Sequence, residues 1–319
     1  MSDQSLVTVD DDQFHALSED PWETETCWFS FNVPERAIAG WLYAWVRPNL
    51  NNSGGGVFVY DPSGVAPWEL PYFQYQYCQP LPAERDLRDF IFPQNYSVKM
   101  LEPLTRYRLH YQDREHIRLD LEFNAIMEPH PFPSGQPPFV SSTHFDQAGR
   151  VTGEMLLRGE RIAIDCIGVR DRSWGPRMDH RGSRVGYSFG TLSEHDGFCV
   201  FVLPSRLTAE GLETIYHGYL LRDGRSARIV SGTRSVQRDP VTNHIMSMQV
   251  HARDEEGREL VAEGRALSRM LLSVPRGTTL NSFLEWRIDG VAGLGHGEDQ
   301  DVWRYDQWRS ALDALQSAG

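Results

Sequence analysis

The segment IRLDLEFNA, residues 117–125, decides the fold class, because its side chains alternate between apolar and polar. Leu119, Leu121 and Phe123 occupy every second position, and charged or amide side chains stand between them. Since successive side chains of a β-strand point to opposite faces, this period of two predicts a strand with one buried and one solvated face. Such strands are typical of antiparallel sheets that cover a core on one side.

Short strand-like runs recur along most of the chain, punctuated by turn sequences such as Asp61-Pro62-Ser63-Gly64 and Asp196-Gly197. Residues 49–56, which are rich in asparagine and glycine, are predicted to form a loop. Only the end of the chain has a helical period, with apolar residues three and four positions apart between Tyr305 and Leu315. We therefore predict an all-β protein of antiparallel barrels or sandwiches that ends in a short C-terminal helix.

A chain of 319 residues is long for a single β domain. We predict two β domains, residues 1–160 and residues 161–319. The proline-rich span 128–138 is a candidate linker or rim loop, because its prolines are incompatible with regular structure.

Composition excludes several classes of protein. A net charge of -13 argues against nucleic-acid binding, which needs a basic surface. Apolar runs are too short to cross a bilayer, so no stable membrane insertion is expected. The first residues lack a basic start followed by an apolar run, and the four cysteines are scattered without a Cys-x-x-Cys pair. These features predict a cytoplasmic protein with free thiols.

The densest group of chemically active side chains is GVRDRSWGPR, residues 168–177. It follows a strand-like run in which Ile162, Ile164 and Cys166 alternate with polar residues, so it lies where a strand leaves the sheet. Isolated buried charges are costly. So many charges in one short run indicate either a network of paired ions or a functional site, and the residues alone leave both interpretations open.

Other motifs are less informative. Gly186-Tyr187-Ser188-Phe189-Gly190 matches the pattern of a hydrolase nucleophile, but its alternation predicts a strand rather than the required turn into a helix. The eleven histidines show no metal-binding spacing, so no metal and no cofactor are predicted. A spatial metal site from His144, Asp171 and His180 stays open as an alternative. The abundant aromatic residues could line an apolar ligand cavity or simply pack a core.

The segment 167–177 carries a resemblance, together with His144-Phe145-Asp146-Gln147 and residues 151–154 upstream. It resembles the carotenoid hydratase, or hydroxyneurosporene synthase, superfamily, which includes AttH-like proteins, and specifically a bacterial branch with the signature R-D-x-S-W-G-P-R. The resemblance implies two lipocalin-like β domains side by side, with an apolar pocket near their junction. Relatives include hydratases of isoprenoid double bonds, a plant-toxin hydratase and fungal cyclases.

The same resemblance implies that Asp171 is the proton donor and that His144 is its partner. The sequence departs from the carotenoid enzymes at Val169, where they have an aromatic residue. A carboxylic acid in a pocket of low dielectric can keep its proton at neutral pH, and an aromatic face such as Trp174 can stabilise a carbocation. Arg172 and Arg177 would favour the carboxylate, so they must point away or bind an oxygenated substrate.

These observations predict a cofactor-independent enzyme that acts on an apolar isoprenoid- or polyketide-derived molecule. The reaction would be a hydration, dehydration, isomerisation or cyclisation. Catalysis is assigned to Asp171 and His144. The predicted partners are the hydrophobic substrate and a second copy of the chain in a homodimer. A non-catalytic carrier of a hydrophobic molecule is the alternative. The predicted substrate-binding residues are Trp174, Arg172, Arg177, Tyr187, Trp286 and Glu298.

Overall fold

The computed structural model describes residues 7–132, 134–135, 139–177, 185–203, 210–274 and 277–304. Within these residues the secondary structure is almost entirely antiparallel β-sheet, which confirms the predicted fold class. The predicted helix between Tyr305 and Leu315 lies outside the described residues. Contacts divide the chain into one unit of Met1–Tyr60 with Pro71–Met178 and another of Asp61–Leu70 with Asp179–Gly319.

The first unit is a single sheet of eleven strands with three short 3-10 helices at Val9–Asp12, Pro34–Arg36 and Pro48–Leu50. Its strands are β1 (Glu23–Val33), β2 (Ile38–Arg47), β3 (Asn52–Tyr60), β4 (Tyr72–Gln79), β5 (Asp89–Ile91), β6 (Tyr96–Glu102), β7 (Arg106–Asp113), β8 (Ile117–Ala125), β9 (His130–Phe132), β10 (Thr143–Leu157) and β11 (Glu160–Pro176). The strand order is β4-β3-β2-β1-β11-β10-β8-β7-β6-β5, and β9 pairs with β10. The boundary predicted between residues 160 and 161 falls at the first residue of β11, a strand that pairs with β10 inside this unit.

The strand predicted from alternation is β8, and its apolar side chains are buried at every second position. Leu119, Leu121 and Phe123 join one hydrophobic cluster with side chains from β1, β2, β6 and β7. The cluster therefore lies on one face of the sheet. Side chains at the intervening positions point to the opposite face.

The second unit is a closed barrel of eight strands, each paired with its neighbours along the chain, and the first is also paired with the last. Closure leaves no unpaired edge. The strands are β12 (Val185–Thr191), β13 (Gly197–Leu203), β14 (Glu210–Arg222), β15 (Arg225–Arg238), β16 (Ile245–Asp254), β17 (Glu259–Val274), β18 (Gly277–Ile288) and β19 (Gly295–Arg304).

The glycine-flanked serine of the hydrolase-like motif lies in the middle of β12. Ser188 is fully buried and donates a hydrogen bond to Asp299 at 2.7 Å. Arg234 in turn donates to Ser188 at 2.8 Å and to Glu213 at 2.7 Å. Because this serine belongs to a buried charge network in a continuous strand, it lacks the exposed turn that a nucleophile needs.

Among the described residues, no helix has the length and apolar composition that crossing a bilayer requires.

Candidate functional site

The register of β10 against β11 brings the two predicted catalytic residues to one face of the first unit. Asp171 lies directly opposite Asp146, and His144 lies opposite Ser173. Residues opposite each other in antiparallel strands share a face, and so do residues two apart in one strand. One donor atom from each of His144, Asp146 and Asp171 therefore lies within 4.8 Å of the others.

His144 is held by a polar contact at the edge of its ring and an aromatic contact on its face. Its Nε2 lies 3.1 Å from Oδ1 of Asp146, and its ring stacks on Phe139 with centroids 4.4 Å apart and planes 10° apart. Asp146 itself is fully buried. Asp146 was not among the predicted site residues, although its spacing of two from His144 within a strand would have placed both side chains on one face.

Asp171 is the accessible acid of this group, since its side chain is only partly buried while Asp146 is not exposed. The pKa of Asp171 is raised to about 6, chiefly by desolvation and also by the Asp146 carboxylate, against the opposing charges of His144, Arg177 and Arg172. Asp171 has no ion pair with any described arginine or lysine. It is therefore partly protonated near neutral pH.

Two arginines of the motif point away from Asp171. Arg170 donates to Asp12 at 2.8 Å and Arg172 donates to Glu25 at 2.6 Å, and all four side chains are buried. Positions 170 and 172 alternate with 171, so these pairs lie on the opposite face of the sheet. The ionic network and the accessible acid, which the sequence presented as alternatives, therefore coexist on the two faces of one strand.

Trp174 lies on the same face as Arg172, where its ring stacks on His15 at 4.3 Å between centroids. His15 and Asp12 belong to the acidic N-terminal segment. Asp12 is only 2% exposed, although it is a charged residue close to the start of the chain. The buried Arg170 requires a carboxylate partner, and Asp12 supplies it.

Arg177 lies on the Asp171 side of the strand. Its guanidinium donates to the Ser173 hydroxyl and lies 5.8 Å from the centre of the Phe139 ring. Ser173 in turn contacts Thr26 on β1. Of the two arginines predicted to bind substrate, Arg177 is thus the one that the structure places near Asp171.

Aromatic rings extend across this face from Asp171. Trp28 lies opposite Asp171 and meets Trp41 edge to face at 5.3 Å between centroids. Trp41 contacts Phe58 at 6.2 Å, and Phe58 stacks on Tyr75 at 5.8 Å. A row of four rings therefore lies next to the acid, with Trp28, Trp41 and Phe58 buried and Tyr75 partly exposed.

The strand that supports this row begins earlier than predicted, since β3 starts at Asn52 instead of after the glycines. A Cβ atom at Gly54 would lie 2.4 Å from the Trp45 ring, and one at Gly56 would lie 1.7 Å from the Gln74 carbonyl oxygen. The glycines are required by close packing against neighbouring strands, and this requirement overrides their low strand propensity.

The remaining predicted site residues belong to the barrel. Tyr187 and Glu298 are buried on the outward-facing side of their strands, where Tyr187 packs on Phe201 at 4.8 Å between ring centroids. Trp286 faces the interior and meets Phe198 edge to face at 4.9 Å. Trp286 is therefore a core residue of the barrel. His180, the third residue of the alternative metal site, lies outside the described residues.

Burial also raises the pKa of a second aspartate, Asp299, in the barrel. Its side chain is fully buried and accepts hydrogen bonds from Ser188 and Arg234. No solvent reaches this carboxyl, and its donors are already engaged in the charge network. Asp171, whose pKa is also raised, differs from Asp299 in that its side chain is partly exposed.

The group formed by His144, Asp146 and Asp171 is also the one set of metal-type donors that the described residues bring within reach of a single ion. One imidazole and two carboxylates fit a divalent cation by donor type. The same arrangement also fits an acid whose proton affinity is set by a second carboxylate.

Removing the charge of Asp146 should lower the pKa of Asp171. In D146N the like charge beside Asp171 is lost, so its pKa should fall below about 6, because that charge now raises it. The H144Q variant should shift it upward, because the charge of His144 lowers it. Titration of carbon-13-labelled aspartate by NMR, with D171N to assign the resonance, measures both shifts. If the pKa of Asp171 moved in the same direction in D146N and H144Q, this account would be contradicted.

Comparison with known proteins places the fold among solved structures. A family model described as a domain of unknown function, DUF7064, matches residues 8–302. No curated protein matches the sequence. A candidate AttH from Nitrosomonas europaea has a TM-score of 0.64 at 13% identity and covers 95% of this chain and 98% of its own.

Two further structures are similar at lower scores. CghA, solved with Sch210972, has a TM-score of 0.57 at 11% identity, over 90% of this chain and 89% of its own. Kievitone hydratase from Nectria haematococca has a TM-score of 0.49 at 10% identity, over 88% of each chain. At these identities the likeness to the first two is one of fold.

Proposed function

The chain belongs to the DUF7064 family, and we propose that it is an enzyme that acts by acid-base catalysis on an apolar small molecule. Asp171 donates and accepts the proton. His144 and Asp146 set its proton affinity, and the aromatic row beginning at Trp28 binds the substrate. The observation that carries the proposal is a partly exposed carboxyl, with a pKa of about 6, beside an unbroken row of aromatic rings.

A carboxyl with a pKa near 6 suits both directions of proton transfer. Near neutral pH it exists in both protonation states, so it can protonate one substrate atom and deprotonate another. Additions of water, eliminations, double-bond shifts and cyclisations that begin by protonation all need such a pair of transfers. The proposal therefore covers a hydratase, dehydratase, isomerase or cyclase.

The aromatic row supports an apolar substrate. Trp28 and Trp41 are almost fully buried, while Tyr75 at the far end and Asp171 at the near end are partly exposed. Aromatic faces bind apolar groups by area and stabilise positive charge that develops on carbon. A protein of the same fold has been solved with Sch210972, which supports a small-molecule ligand.

Arg172 and Trp174, which were predicted to bind substrate, have a structural role in this proposal. Arg172 and Trp174 hold the N-terminal segment through Glu25 and His15 on the opposite face. Of the two arginines predicted to bind substrate, only Arg177, with its contact to Ser173, remains on the Asp171 side. The acid is thereby separated from the ion pairs that would otherwise hold it as a carboxylate.

A carrier of hydrophobic molecules is the second candidate, because aromatic rings can bind an apolar ligand without any acid-base chemistry. Incubation with a panel of terpenoid and polyketide compounds, followed by native mass spectrometry and chromatography of the released ligand, separates the two. We expect a product of changed mass or retention time, with equal yield in the presence of EDTA. Ligand recovered unchanged in every case would establish a carrier, and loss of conversion with EDTA would instead indicate a cation at His144, Asp146 and Asp171.

A further inference from the structure

Two hydroxyl groups connect Arg177 to Asp171, and nothing in the sequence singled them out. Ser173 accepts a hydrogen bond from the Arg177 guanidinium and lies in hydrogen-bond contact with the Thr26 hydroxyl. Thr26 Oγ1 lies 3.4 Å from Oδ1 of Asp171. Ser173 is fully buried and Thr26 is 5% exposed, so water does not compete along this chain of contacts.

The direction of each hydrogen bond follows from the donors available. A guanidinium has only donors, so Ser173 must accept from Arg177. The single hydroxyl hydrogen of Ser173 then has Thr26 as its one acceptor among the described residues. Thr26 accepts it, and its own hydrogen is left for Asp171. In this arrangement both hydroxyl hydrogens have an acceptor. If Thr26 instead donated to Ser173, the Ser173 hydrogen would be left without an acceptor.

We propose that Thr26 and Ser173 are positioning residues that relay the polarity of Arg177 to Oδ1 of Asp171 and so keep the acidic proton on Oδ2. In a carboxylic acid the carbonyl oxygen is the stronger acceptor, so the oxygen that receives the Thr26 hydrogen is the carbonyl oxygen. The reactive proton is therefore on Oδ2. This inference rests on the proposed acid role of Asp171.

The relay also lowers the pKa of Asp171. A donor at Oδ1 stabilises the carboxylate more than the neutral acid, because hydrogen bonds to charged groups are the stronger ones. It therefore opposes the effect of burial and of Asp146. Arg177 contributes without forming an ion pair with Asp171, which would fix Asp171 as a carboxylate.

The test uses the full-length protein and needs no substrate. Titration of carbon-13-labelled aspartate by NMR, assigned by comparison with D171N, gives the pKa of Asp171 in each variant. T26V removes the hydroxyl at constant size, and we expect the pKa of Asp171 to rise by about half to one pH unit. T26S keeps the hydroxyl and should leave it unchanged. S173A should raise it by a smaller amount.

A double-mutant cycle separates a relay from two independent effects. If Ser173 acts through Thr26, S173A should shift the pKa of Asp171 in the wild-type background and leave it unmoved in the T26V background. Equal shifts in both backgrounds would overturn the relay, and so would an unchanged pKa in T26V. Thermal unfolding of each variant shows whether its fold is intact, and S173A against the wild type remains informative if T26V does not fold.

Infrared difference spectra test the position of the proton. At low pH the carbonyl stretch of neutral Asp171, assigned by subtraction of D171N, should move to higher frequency in T26V, because its carbonyl oxygen loses a donor. An unmoved band would place the Thr26 contact on the hydroxyl oxygen and overturn the assignment to Oδ2. A failed relay would leave the turnover of the wild type and of D171N as they are, so the two proposals fail separately.

Discussion

The D171N variant should lose turnover by about 10²- to 10⁴-fold, the range that a positioned general acid or base contributes. Asparagine keeps the size of the side chain and can still accept the hydrogen of Thr26, but it has no acidic proton. Binding of the substrate to the aromatic row should persist, so the loss should fall on kcat and leave KM nearly constant. Steady-state kinetics on the compound converted by the wild type measures it.

The unfolding temperature of D171N shows whether a loss of turnover reflects a loss of folding. Burial raises the pKa of Asp171 to about 6, so the folded state favours the neutral acid. Its stabilising contribution is present below the unfolded pKa of about 4 and is lost as pH rises through about 6. D171N mimics the neutral form, so its unfolding temperature should equal that of the wild type in acid and exceed it slightly at pH 8.

Asp165 offers a matched comparison on the same strand. It is exposed, and its side chain accepts from Arg150 at 2.8 Å. D165N changes the same chemical group on β11 and should leave turnover unchanged. Activity retained in D171N, or lost equally in D165N, would contradict the role of Asp171.

The sequence was sufficient for the fold class because the alternation in strands such as β8 is a local property. It also pointed to Asp171 and His144, since both belong to segments that resemble a known superfamily. Their immediate partners were less accessible to prediction. Thr26 lies 145 residues before Asp171, and Asp12 lies 158 residues before Arg170, so both contacts depend on which strands and segments become neighbours.

Strand alternation also explains what the sequence could not resolve about the motif. Asp171 and Arg172 are adjacent in sequence, and a count of charges assigns both to one site. In a strand they face opposite ways. Knowing that the motif is still inside β11, instead of beyond its end, would have separated the acid from the ion pairs, and this depends on the pairing of β11 with both β1 and β10.

The ion pair between Asp12 and Arg170 should be the most sensitive point for stability in the first unit. Asp12 accepts hydrogen bonds from Arg170 and from the Leu104 amide, both at 2.8 Å, and from the Tyr107 hydroxyl. In D12A the guanidinium of Arg170, which is 2% exposed, would lack its carboxylate. We expect the free energy of unfolding to fall by about 3–5 kcal/mol, as for other buried charges left unpaired. Urea denaturation at neutral pH measures the loss.

The pair between Arg150 and Asp165 is the control, because it also has one member on β11 and a contact of equal length, but lies at the surface. Its contact is also 2.8 Å, but its side chains are 48% and 60% exposed. D165A should cost less than about 1 kcal/mol, since water screens an exposed pair.

The cost of D12A should also depend on pH. The charge of Arg170 and the hydrogen bonds to Asp12 outweigh the effect of burial, so the pKa of Asp12 is lower than its ordinary value. The cost of D12A should therefore persist above pH 4 and shrink as pH falls further. Equal costs for D12A and D165A would show that the N-terminal segment does not neutralise Arg170.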